Sequence, residues 1–216
     1  MFTIDFDKYR VIDLSYTVVP PGSKERPFVI NRSFLKDNTY KHEVETHTHV
    51  GTHVETPAHF FEEGKDITEF PLTTFMGRAV LLEVDDAKKQ QRVDRAYVDR
   101  NVGNLTKGDI VICRNNDEEN KKGEKRFFPY LTPDAAQWLK EQKIKMLGID
   151  NSFRLGKDVS SIRKLHQILM AADVILIEFL DNLHQLQKSE FYLVALPFKA
   201  RSIDSSWARV VAMEQR

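Results

Sequence analysis

Residues 47–60 read His-Thr-His-Val-Gly-Thr-His-Val-Glu-Thr-Pro-Ala-His-Phe and hold four of the chain's seven histidines. His47, His49, His53, Glu55 and His59 all fall at odd positions, separated by small or apolar residues such as Thr48, Val50, Thr52, Val54 and Ala58. A period of two is the rhythm of a strand, so His53 and Glu55 would share one face about 6.6 Å apart, close enough to chelate together. His49 and His53 would stand roughly 13 Å apart on a straight strand, too far for two Zn–N bonds of about 2.1 Å. They converge only if the chain bends between them, and Gly51 sits at the midpoint, where its conformational freedom permits a bend. Pro57 then stops the segment from continuing as a central strand or regular helix, which places His59 on a loop. Imidazole and carboxylate are the donors that divalent transition metals take. A histidine-rich exposed strand is the plainer reading, but Glu, Gly and Pro at these spacings favour half of a metal site.

The rest of the chain sets the frame. Its 216 residues are 41% hydrophobic and 30% charged, ordinary for a globular protein and enough for one domain spanning 1–216. Lys plus Arg equals Asp plus Glu at 32 each, so no polyanionic partner is called for and nucleic acid is disfavoured. No apolar run approaches the ~18 residues of a membrane span. Residues 1–7 lack the charged and apolar regions of a signal peptide. The single Cys113 excludes an intrachain disulfide and suits a reducing compartment, so the cytoplasm is expected.

Strands are expected over 10–19, 28–35, 40–50, 78–84, 110–114, 144–149, 174–177, 191–196 and 209–213, with turns at 64–66 and 201–206. Helices are expected over 93–100, from Pro133 to about 143, and over 161–171. Thr132-Pro133-Asp134 supplies an N-cap hydroxyl, a first-turn proline and an acid near the helix N-terminus. Residues 115–126 are almost wholly polar and read as a solvated loop. Strands outnumber helices in a mixed order, which argues for an α/β or α+β domain with a mixed sheet. Cys113 ends an apolar strand and reads as a buried, inert thiol. Asp150 reads as a structural loop residue.

One segment cannot fill a metal site, so a second is needed. His166 lies on an amphipathic helix, and the apolar strand that follows delivers Glu178, a charge without reason to follow Val-Ile-Leu-Ile unless it is paired or ligated. His184 lies among polar residues and reads as solvated. Spacing alone makes His166 with Glu178 a reasonable pairing and no more.

His49-Val50-Gly51-Thr52-His53-Val54-Glu55-Thr56-Pro57-Ala58-His59-Phe60 resembles the signature of the metal-dependent cyclase family, which includes bacterial kynurenine formamidases: His-x-Gly-[Thr/Ala]-His-x-Asp-x-Pro-x-His-[Phe/Tyr]. The family's later His and Glu stand twelve residues apart, as His166 and Glu178 do, and softer likenesses run through Leu131-Thr132-Pro133, Gly148-Ile149-Asp150 and Arg209-Val210-Val211-Ala212. The resemblance implies a mixed, barrel-like sheet flanked by helices, of the swivelling β/α/β type, in a homodimer or larger assembly. It implies one metal position held by His49, His53 and the carboxylate at 55, a second held by that carboxylate with His166 and Glu178, and His59 as acid/base. His47 lies outside the motif. The implied cofactor is a divalent metal, zinc first with manganese as the alternative, one or two ions per subunit.

The implied activity is metal-dependent hydrolysis of a small-molecule amide by a metal-activated water, of the arylformamidase type found in tryptophan catabolism, taking N-formylkynurenine to kynurenine and formate. A sibling hydrolase of cyclic amides or lactones, and a non-catalytic metal-binding scaffold, are the alternatives. Two departures bear on substrate: Glu55 stands where the family has Asp, and Ser205-Ser206-Trp207-Ala208-Arg209 replaces the family's Gly-Ser-Pro-x-Arg turn. Phe60, Phe61, Trp207 and Phe34 are candidate pocket walls.

Overall fold

Apolar alternation in the strands builds a closed barrel. The computed structural model describes residues 5–117 and 127–216, so the 118–126 part of the expected polar loop lies outside the described residues. In chain order the strands are β1 (Tyr9–Asp13), β2 (Phe28–Phe34), β3 (Tyr40–Thr46), β4 (His53–Glu55), β5 (Met76–Val84), β6 (Arg92–Val93), β7 (Ile110–Asn115), β8 (Tyr130–Leu131), β9 (Met146–Asp150), β10 (Ile175–Leu180), β11 (Glu190–Pro197) and β12 (Ser205–Gln215). The helices among the described residues are α1 (Arg95–Val102), α2 (Pro133–Glu141) and α3 (Val159–Met170).

Seven strands run in the order β12-β11-β5-β7-β9-β10-β4, and β4 pairs back onto β12 to close the ring. β5, β7, β9 and β10 are mutually parallel; the remaining ring contacts are antiparallel. Parallel neighbours need crossovers, and right-handed ones place α1, α2 and α3 on the same outer side. β12 is long enough to give residues 205–207 to β4 and residues 211–215 to β1.

The two faces of each strand separate cleanly. Ala79, Leu81, Ile110, Ile112, Met146, Ile175 and Ile177 fill the barrel interior with Val54 and Val210. Val80, Leu82, Val111, Cys113, Leu147 and Leu176 face outward and pack under Ala136, Leu139, Leu165 and Leu169 of the helices. This alternation positions the site. With Val54 inside the barrel, His53 and Glu55 point out; with Ile177 inside, so does Glu178, toward α3 and its His166.

Several boundaries differ from the sequence expectation for local reasons. β1 stops at Asp13, and Leu14 turns to donate to the Val210 carbonyl (2.8 Å). β3 ends at Thr46 because the chain must turn to bring the histidines together. α1 begins at Arg95, where the Asp94 carboxylate caps Tyr97, while Val93 pairs with Leu131 in a short parallel bridge. The Thr132 hydroxyl does not cap α2; it reaches the Val93 carbonyl instead (3.3 Å). α3 starts two residues early, at Val159, on a capping box between Asp158 and Ser161. Ser205 and Ser206, expected in a turn, begin β12 because β4 offers them an edge.

Candidate metal centre

The bend expected at Gly51 is present: its φ is +69°, and a Cβ there would lie 2.3 Å from Val18 Cγ2. Only glycine fits this position without displacing Val18. The bend folds His49 back so that its Nδ1 lies 3.3 Å from His53 Nε2. Pro57 opens a single 3-10 turn through His59, which swings the last histidine over the same spot. On β10, Phe179 has φ +58°, and the pairing to β9 shifts register between Ile177 and Leu180. This irregularity stacks the Phe179 ring on His53 (centroids 5.8 Å apart), and the Arg26 guanidinium lies 4.1 Å above the Phe179 ring. Arg26 Nη1 also donates to the His49 carbonyl.

The other five residues expected at the site gather around Glu55, which is only 3% exposed. Its Oε1 lies 2.8 Å from His49 Nδ1 and 3.4 Å from His53 Nε2. Its Oε2 faces His166 Nε2 at 3.6 Å and His59 Nε2 at 3.9 Å. Glu178 Oε2 lies 4.0 Å from His53 Nε2. Among the described residues, two donor sets fall within mutual ligand reach: His49, Glu55 and His59, and His53, Glu55 and Glu178. The grouping differs from the expected division, because His59 stands where a ligand could stand and His166 joins through Glu55. His47 is exposed and bonds the Glu25 carbonyl (3.0 Å), and His184 is exposed, as expected for residues outside the site.

Each imidazole is held by its far nitrogen. His53 Nδ1 donates to the Gly51 carbonyl and His166 Nδ1 to the Ile162 carbonyl, both at 2.8 Å. A carbonyl can only accept, so those nitrogens carry the protons and leave each Nε2 lone pair turned toward the carboxylates. His49 Nε2 and His59 Nδ1 both lie 2.8 Å from one oxygen, Asp204 Oδ2. Asp204 is a residue the sequence reading missed. Its carboxyl is held down to about 2: partial burial opposes this, but hydrogen bonds from His59 and His49 outweigh it.

Charge in the cluster is out of balance without a cation. Glu55 Oε2 is buried and makes no hydrogen bond. Burial pushes the Glu178 carboxyl up, and repulsion from Glu55 pushes it further. Burial would lower His49, but hydrogen bonds and charge from Glu55 and Asp204 push it up to about 9. The Nε2 lone pairs of His53 and His166 facing carboxylates, and a buried carboxylate oxygen with no donor, form a set that a divalent cation satisfies. The residues fit the metal that the motif implies.

A cleft of about 440 Å³ opens on His166 and Glu178, lined by Phe153, Phe179, Ile149, Asp150, Arg26 and Arg154. A larger cleft of about 640 Å³, lined by Tyr16, Phe28, Val44, Phe198, Trp207 and Arg209, contains none of the six residues, so the smaller one is the candidate substrate pocket. The expected pocket walls lie elsewhere. Phe60 and Phe61 pack against the outer core, Phe34 stacks on Tyr40 of the β2–β3 hairpin, and Trp207 lines the larger cleft.

Comparison with known proteins places these features in a family. Residues 12–152 match the Cyclase family, described as putative cyclase. A kynurenine formamidase of Bacillus mycoides is 24% identical over 196 residues, covering 88% of each chain. One from Geobacillus thermodenitrificans is 26% identical over 169 residues, covering 75% of this chain and 74% of the relative. Among solved structures, a potential metal-dependent hydrolase with cyclase activity superposes with a TM-score of 0.75 at 23% identity, covering 96% of this chain and 99% of the other. Isatin hydrolase A from Labrenzia aggregata, bound to benzyl benzoate, gives 0.77 at 22% identity over 97% and 95%. The structural likenesses carry the fold, and the family match spans well over half the chain. With its closed mixed barrel and its histidine–carboxylate cluster, the chain belongs to the putative cyclase family.

Proposed function

We propose that the protein is a metal-dependent hydrolase of small-molecule amides, acting as an arylformamidase on N-formylkynurenine or a close analogue. His49, His53, Glu55, His166 and Glu178 are the proposed metal ligands, with zinc as the expected ion and manganese as the alternative. The observation that carries this reading is the gathering of four imidazoles around the buried Glu55 carboxylate, whose Oε2 has no hydrogen-bond partner. When bound, a divalent metal supplies Lewis acidity for the carbonyl and brings a water's pKa toward neutrality, to about 7 in zinc hydrolases. Glu55 and Glu178 provide the balancing negative charge. His59 is the proposed acid/base: Asp204 accepts a hydrogen bond from its Nδ1–H, which leaves Nε2 able to accept a proton from the nucleophile and return it to the leaving amine. Phe179 and Phe153 would hold the aromatic ring in the 440 Å³ cleft.

Relatives named kynurenine formamidase over most of the chain support the formamidase reading. A panel of N-formylkynurenine, simple formanilides, isatin and aryl lactones tests it. Release of formate, lost on chelation, is the expected result. Ring opening of the cyclic substrates without formate release would replace it with the sibling activity, and metal binding with no hydrolysis would leave a scaffold.

A homodimer is the proposed assembly. Among the described residues β2 and β3 pair only with each other, and they expose Val29, Ile30, Phe34, Tyr40 and Val44. A lone two-stranded hairpin is marginal in water, and a second copy covering this arm would bury it.

A further inference from the structure

We propose that Asp204 is a positioning residue that fixes the tautomer and ring orientation of both His49 and His59 through a single carboxylate oxygen. The proposal rests on the metal-centre reading of the Glu55 cluster. His49 Nε2 and His59 Nδ1 each lie 2.8 Å from Asp204 Oδ2, and the two rings sit 4.7 Å apart, centroid to centroid. An ionised carboxylate offers no proton, so both contacts are N–H donations from the imidazoles. Asp204 thereby holds a proton on the far nitrogen of each ring, with His49 Nδ1 toward Glu55 Oε1 and His59 Nε2 toward Glu55 Oε2.

The carboxylate is not needed to shape its own loop. The Asp204 carbonyl accepts from Thr56 N (2.9 Å) and Thr56 Oγ1 (3.0 Å), so the backbone is clamped to the segment between the two histidines without the side chain. Oδ1 is only distantly approached by the Thr48 and Ser205 hydroxyls, both at 3.4 Å. Barrel closure delivers the residue: Ser205 pairs with Glu55 in the β4–β12 register, which sets Asp204 one step beyond the ligand strand. His53 and His166 use backbone carbonyls for the same purpose. His49 and His59 lie on the bend and the loop, where no backbone carbonyl takes their far nitrogens, and one carboxylate serves both. Ser205 Oγ also lies 3.0 Å from His49 Nε2, but Asp204 Oδ2 is the one atom that contacts both the proposed ligand and the proposed proton carrier.

Partners that orient metal-bound histidines are worth 10- to 100-fold in metal affinity. Zinc titration of the metal-free protein against a competing chelator should show Asp204→Ala binding 10- to 100-fold more weakly than wild type, with Asp204→Asn between them because it keeps an acceptor oxygen. In parallel, ¹⁵N spectra of the wild-type imidazoles, read with and without zinc, should show His59 carrying its proton on Nδ1. A His59 proton on Nε2, or zinc binding by Asp204→Ala within twofold of wild type, would overturn the assignment. Absence of zinc binding by the wild type would instead overturn the metal reading, while the His59 tautomer, measured without metal, still decides for or against Asp204.

Discussion

Glu55 reaches both sides of the cluster through its two carboxylate oxygens: Oε1 faces His49 and His53, Oε2 faces His166 and His59. The residues around it were legible because imidazole and carboxylate at strand spacing have few other uses. Asp204 was not. It is an ordinary acid in a polar turn, and only the pairing of two strands about 150 residues apart brings it to the histidines. The proposed role of His59 has a direct check. His59→Ala should retain metal while kcat falls 10²- to 10⁴-fold, the usual contribution of a general acid/base; loss of metal instead would make His59 a ligand, as its distance to Glu55 permits. In the lining of the cleft beside the cluster, Asp150 accepts from the Ser152 amide and hydroxyl (both 2.8 Å), and its burial raises its pKa. A carboxyl raised in the folded state gives full stability below its ordinary 3.8 and loses it as pH rises through the folded value. Asp150→Asn should therefore melt higher than wild type at pH 7, and that gain should vanish below pH 3.8; an equal gain at both pH values would contradict the linkage. Cys113 is fully buried and its thiol is pushed well above the usual range by burial. It should resist alkylation in the native protein and react only on unfolding, readable by mass spectrometry.

At the scale of elements, long periodic segments were legible and short ones were not. The apolar runs of β5, β7, β9 and β10 announce strands buried on both sides, and their β-branched content separates them from helices. The three-residue β4 carries no such signal; it is a strand only because β10 and β12 flank it. Closure of the ring also depends on these tertiary contacts, so the sequence alone indicated a mixed sheet and the family resemblance supplied the barrel. The interior is filled to the point where β9 needs Gly148: a Cβ there would meet Ile112 Cδ1 at 2.6 Å and Leu180 Cδ1 at 3.0 Å. Gly148→Ala should cost about 1–3 kcal/mol by overpacking, measured by denaturant unfolding; a neutral effect would show that the barrel interior has slack.

For the whole molecule, the β2–β3 hairpin is the part that a lone subunit leaves without purpose. Alternation along it places apolar residues where no other part of the described chain covers them, which the residue pattern could not reveal without knowing what packs nearby. Light scattering should give a dimer, and paired Phe34→Asp and Val44→Asp substitutions should give a monomer with the barrel intact. The central claim, that the Glu55 cluster is a hydrolytic metal centre, is tested most directly by elemental analysis of the purified protein coupled to hydrolysis assays before chelation, after chelation and after zinc is returned. The account predicts one or two divalent ions per chain, formate release from N-formylkynurenine that chelation abolishes, and recovery on adding zinc. Hydrolysis that persists undiminished in the metal-stripped protein would contradict it.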